Sequence, residues 1–118
     1  LLTEDGLISS LTSTVNKNES RINLHKELFN KDALIFRGIQ SKRVSLVSKS
    51  SGKILSVEYD DFNDLGIWAK PGAPFVCIEP WLGHADVETA TGDIKNKEGI
   101  IELMPSHEFS ASYTIRIV

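Results

Sequence analysis

The last stretch of the chain alternates almost without a break. Phe109, Ala111, Tyr113, Ile115 and Ile117 fall on one side, and Ser110, Ser112, Thr114 and Arg116 fall on the other. A two-residue period suits an extended strand with one wet and one dry face, and it cannot form the stripe of an amphipathic helix. No segment sustains a 3.6-residue period, and β-branched residues are common. These features predict an all-β protein of antiparallel strands, a β-sandwich or part of one.

The same logic locates the other strands. In RVSLVS, Val44 and Leu46 share a face. In KILSVEY, Leu55, Val57 and Tyr59 alternate with Ile54, Ser56 and Glu58. The intervening KSSGK is a short glycine-containing turn, so the two runs predict a hairpin. ALIF (33–36) is a short apolar run suited to a buried strand, and LGIWA (65–69) is a further short run. PFVCIEPW (74–81) predicts a buried strand that stops at Pro80, because proline cannot donate to a central ladder. LISSLTSTV (7–15) and GIIELM (99–104) are weaker strand candidates. Between 82 and 99 lies a long polar stretch, and connections of that length often serve function.

The 118 residues amount to one domain by length, with 41% hydrophobic and 25% charged residues, as in a folded globular chain. A net charge of −3 with dispersed Lys and Arg argues against nucleic acid and anionic membrane as partners. No apolar run reaches the ~18–20 residues of a membrane span. The single cysteine, Cys77, cannot form an internal disulfide and suits a reducing, cytoplasmic setting. Its place inside an apolar run predicts an inert core residue. The sequence opens on LLTEDGLISS, which has neither an initiator methionine nor the pattern of a signal peptide, so a longer parent protein is expected.

Motifs for nucleophilic hydrolysis, phosphate cradling or cysteine-based metal binding are missing. His25, His84 and His107 lack metal-ligand spacing, and a surface position is expected for each. Glu79 stands apart. It ends the apolar run from Phe75 to Ile78 and precedes Pro80 and Trp81. Alternation puts it on a face with Phe75 and Cys77, opposite Val76 and Ile78. A carboxylate beside an indole at the end of a buried strand is partly desolvated, which suits a general base; equally, a strand-end glutamate can turn to solvent or pair with a lysine. Trp68 and Trp81 are either sugar-stacking faces or ordinary packing. Asp32 precedes ALIF in a turn, where an aspartate commonly bonds local backbone.

Taken in order, LFNKDALIF (28–36), SGKILSVEYDDF (51–62), LGIWAK (65–70), PFVCIEPWLGHAD (74–86), NKEGIIELMP (96–105) and HEFSASYTIRI (107–117) resemble the aldose 1-epimerase (galactose mutarotase-like) family, most closely its LacX-like branch. The likeness covers roughly residues 24–118 and makes 1–118 a single segment, the C-terminal part of a larger domain. It implies part of an antiparallel β-supersandwich that binds a small-molecule sugar, such as galactose or glucose. It implies isomerase activity, the interconversion of α and β anomers by general acid–base ring opening, with no metal or organic cofactor. By the resemblance, Glu79 falls on the catalytic base, Asp32 on an aspartate that binds sugar hydroxyls, and Trp81 beside the sugar. The family's acid is a histidine in an upstream Asn-His motif, which none of His25, His84 and His107 occupies. The chain alone is therefore expected to be inactive. Its open strand edges are expected to meet either the missing N-terminal portion or another copy. A non-catalytic carbohydrate-binding β-sandwich, stacking sugars on Trp68 and Trp81, is the alternative. A hexose phosphate substrate would need cations such as Arg37, Lys42 and Arg43, which equally form an exposed strand face.

Overall fold

Six strands form in the computed structural model, which describes residues 1–15 and 20–118. They are β1 (Leu34–Phe36), β2 (Arg43–Ser48), β3 (Gly52–Glu58), β4 (Asp64–Trp68), β5 (Cys77–Trp81) and β6 (Thr114–Ile117). They build two three-stranded sheets, ordered β1-β4-β5 and β2-β3-β6, and every pairing is antiparallel. The sole helical element among the described residues is one 3₁₀ turn, Ile94–Asn96. The protein is all-β.

The hairpin forms as its alternation requires. Val44 pairs with Val57 and Leu46 with Leu55, which keeps the apolar side chains on one face. At the turn Gly52 takes φ +76°, a left-handed conformation that glycine adopts without strain. The Ser48 hydroxyl accepts from the backbone N–H groups of Ser50 and Ser51.

The two sheets share one core. Val57 and Tyr59 from the second sheet meet Leu65, Ile67 and Ala69 from the first, and Phe29 plugs the end of the cluster. Leu34, Phe36 and Ile78 pack against it from the flanking strands. Pairing explains this. Leu34 is opposite Ile67, Phe36 opposite Leu65, and Ile67 opposite Ile78, so all project from one face of the sheet. The central strand β4 is accordingly buried along nearly its whole length.

Four expectations need correction. β5 does not stop before Pro80; Pro80 pairs with Leu65 and the strand runs on to Trp81. β5 is an edge strand, and one side of an edge has no ladder partner for an N–H to serve, so proline is tolerated there. Nor is β5 buried: each of its residues is only half-covered. GIIELM forms no strand; Ile100, Ile101, Leu103 and Met104 are all exposed. The alternation of 109–117 yields a strand only over Thr114–Ile117, the part that lies beside β3.

LISSLTSTV is likewise not a strand, yet it contributes to the fold. Ile8 is buried and bridges both Leu2 and Val87. Its N–H donates to Asp86 and its carbonyl accepts from Glu88, so this segment backs the chain that leaves β5.

Much apolar surface stays open. The chain exposes 9135 Å², whereas a compact monomer of this length exposes about 6,400 Å². The excess is concentrated toward the C-terminal end, where Phe109, Tyr113, Ile115 and Ile117 are each more than half exposed. Among the described residues no helix is long and apolar enough to cross a membrane.

Candidate functional site

The antiparallel register of β4 and β5 places Glu79 opposite Gly66, Trp81 opposite Asp64, and Cys77 opposite Trp68. All six positions therefore share the sheet face opposite Leu65, Ile67 and Ile78, although Trp68, at the end of β4, still packs against the core cluster. Cys77 belongs to this outer face and is half-buried, which corrects its expected place in the core. The run that looks uniformly apolar splits by alternation: Val76 and Ile78 pack toward the core cluster, while Cys77 and Glu79 do not.

Gly66 gives the face its shape. A Cβ at this position would lie 2.7 Å from Cζ2 and 3.0 Å from Cε2 of the Trp81 indole. The ring thus lies directly across the backbone of β4, in space that any other residue would fill. From there Nε1–H of Trp81 donates to Oε2 of Glu79 at 3.2 Å. The carboxylate is half-buried, and its Oε1 accepts no hydrogen bond among the described residues. The result is a sheet face that carries a carboxylate tethered to an indole through one of its two oxygens. Trp68, further along the same face, makes an edge-to-face contact with Phe75, with ring centroids 6.4 Å apart.

Asp32 is not part of this cluster. It occupies the turn before β1 with φ +85°, an unusual backbone state for a non-glycine residue. Its Oδ1 accepts from the N–H of Ala33 at 2.7 Å. In the register of the sheet, Ile35 is level with Gly66 and Glu79, so Asp32 lies three residues along and two strands across from the glutamate.

The histidines divide. His25 and His107 are exposed, and His25 pairs with Glu27. His84 contradicts the expected surface position: its side chain is only 4% exposed and its Nε2 lies 3.8 Å from Oδ2 of Asp64. The polar segment after β5 folds back over the ring and, with it, lines a cavity of about 480 Å³. No local pattern in the sequence marked this burial, since it depends on β4 presenting Asp64 at the place where β5 ends.

The three cations considered for phosphate do not gather. Arg37 pairs with Glu98, Lys42 donates to the carbonyl of Phe62, and Arg43 approaches Glu58. Among the described residues no group of three or more His, Cys, Asp or Glu could hold a metal ion.

Two LacX proteins of Lactococcus lactis subsp. lactis, one plasmid-borne and one chromosomal, are each 31% identical to this chain over 103 residues. The match takes in 86% of this chain and 34% of each relative, so the chain spans about a third of their length. No family model matches the sequence, and no solved structure matches it. The chain is thus similar to part of these LacX proteins, and the match fits a LacX-like C-terminal portion.

Proposed function

We propose that these residues belong to an aldose 1-epimerase, and that residues 1–118 are the C-terminal part of its sugar-binding domain. The observation that carries this proposal is Glu79, a half-buried carboxylate with Oε2 held by the Trp81 indole and with no hydrogen bond to Oε1 among the described residues. The order of motifs shared with the family supports it, as does the unburied apolar surface toward the C-terminal end, which further strands of a larger sandwich would cover.

In the proposed reaction Oε1 of Glu79 removes the proton of the anomeric hydroxyl. An acid supplied outside these residues protonates the ring oxygen, and the bond between that oxygen and C1 breaks as the C1 carbonyl forms. Rotation about C1–C2 exposes the other carbonyl face, and reversal of both proton transfers closes the opposite anomer. Protons and charge balance over the cycle, so no redox partner is needed. A base in this role contributes about 10²- to 10⁴-fold. The Trp81 indole would flank the sugar and Asp32 would bind hydroxyl groups, each within the completed cleft.

Anomer exchange of galactose or glucose, followed by NMR in the complete polypeptide, tests this. Glu79→Gln keeps the side-chain shape and removes the base, so the exchange rate should fall by about 10²- to 10⁴-fold. An unchanged rate, or a parent protein no faster than buffer, would favour the non-catalytic sugar-binding sandwich. Acceleration by the isolated 118 residues would contradict an acid located elsewhere.

A further inference from the structure

His84 is a titratable side chain that the proposed proton transfers do not use, and the fold nevertheless buries it. Its ring lies between two acceptors. Nδ1 is 2.9 Å from the carbonyl oxygen of Ala85, and a carbonyl only accepts, so Nδ1 carries a hydrogen. Nε2 then faces Oδ2 of Asp64 at 3.8 Å. A neutral ring in this orientation points a lone pair at a carboxylate. A proton on Nε2 turns that opposition into an ion pair with little water to screen it.

The location gives the contact its meaning. Asp64 opens β4 and is the cross-strand partner of Trp81. Its Oδ1 accepts from the N–H of Gly38 at 2.9 Å, which anchors the carboxylate to the chain leaving β1. His84 lies three residues beyond Trp81. The contact therefore closes a small loop, from Trp81 through His84 to Asp64 and back across the ladder. Other charged groups share the cavity beside the ring, but Asp86 is paired with Lys97, Glu98 with Arg37, and Asp93 caps the 3₁₀ turn. Asp64 is left as the carboxylate that faces the imidazole from the sheet.

We propose that His84 is a positioning residue: its ring clasps Asp64 when protonated and so holds the Trp81 indole across Gly66 with its N–H on Glu79. The kinetic consequence rests on the epimerase proposal; the structural consequence does not.

The indole N–H resonance of Trp81, assigned by its loss in Trp81→Phe, reports the clasp in the complete polypeptide without any sugar. In the parent protein this resonance should shift with pH in one step. His84→Gln should abolish the step. Asp64→Asn, which retains an acceptor for Gly38, should abolish it too, and the double variant should do no more than either single one. Glu79→Gln should keep the step, which separates the clasp from titration of the base. With sugar, both clasp variants should lower kcat about 10- to 100-fold and leave KM within threefold, as a displaced but intact base would. Absence of the step in the parent protein, or its persistence in His84→Gln or Asp64→Asn, would overturn the proposal whether or not the protein epimerises sugars. A lost step with unchanged kcat would overturn the positioning role.

Discussion

β4 and β6 carry the same kind of apolar alternation and meet opposite fates. Leu65 and Ile67 of β4 are 2% and 7% exposed, while Ile115 and Ile117 of β6 are 54% and 82% exposed. The difference is position. β4 is central, with a neighbour on either side and the second sheet over its apolar face. β6 is an edge strand, and its apolar side chains extend past the part of the core that the first sheet covers. Alternation decides which side of a strand is apolar; it does not supply the layer that covers it. The outer face of β4 shows the complement, since there a glycine makes room for an indole and a carboxylate rather than for a core.

This contrast can be broken by substitution. The largest cost should come at the centre of the core. Leu65→Ala should destabilise the complete polypeptide by about 2–5 kcal/mol in urea unfolding, through lost burial and a residual cavity. A cost below 1 kcal/mol would mean that β4 is not the centre of the core. Next comes the outer face. Gly66→Ala brings a Cβ to 2.7 Å from the Trp81 ring. The indole must move or the strand must strain, at about 1–3 kcal/mol, and the Trp81–Glu79 hydrogen bond should be lost, visible as a shifted indole N–H resonance. An unmoved resonance would remove Gly66 from the account of the site.

Tyr59 gives a smaller effect with a pH signature. Tyr59 is 1% exposed, its hydroxyl makes no hydrogen bond of good geometry among the described residues, and burial pushes the phenol up from its usual value against a smaller opposing pull from the nearby Ser41 hydroxyl. The folded state thus holds the proton more tightly than the unfolded chain. That contribution is fully present below about pH 10, the ordinary phenol value, and is lost as pH rises through the folded value. Tyr59→Phe should flatten the alkaline decline in stability and change stability near neutrality by no more than about 1 kcal/mol. An alkaline decline as steep as the parent's would assign it to other groups.

The smallest effect is expected at the open edge. In the isolated 118 residues Ile117→Ala should cost less than about 0.5 kcal/mol. In the complete polypeptide the same change should cost about 2 kcal/mol or more if further strands cover β6. Equal small costs in both would leave the edge uncovered and count against residues 1–118 being part of a larger sandwich.

What could be read from the sequence was whatever follows from local periodicity. The hairpin of β2 and β3, the apolar side of β6 and the face shared by Cys77 and Glu79 all follow from a two-residue alternation, and the pairings obey it. Whatever depends on long-range register could not be read. Pro80 stays inside β5 because β5 is an edge, and edges are a property of the sheet. Cys77 sits on the outer face because β5 turns Val76 and Ile78, not Cys77, toward the core. His84 is buried because a carboxylate 20 positions upstream lies beside the end of β5. Glu79 was visible as a carboxylate in an apolar run; its hydrogen bond to Trp81 also depends on Gly66, which only the pairing of β4 with β5 brings opposite it.

The central claim is that the outer face of β4 and β5 receives the sugar, and the Trp81 indole N–H is its nearest reporter. Galactose titrated into the complete polypeptide should shift that resonance saturably and leave the backbone resonances of Ile115 and Ile117 in place. A Trp81 resonance that stays fixed while sugar binds elsewhere would contradict the account.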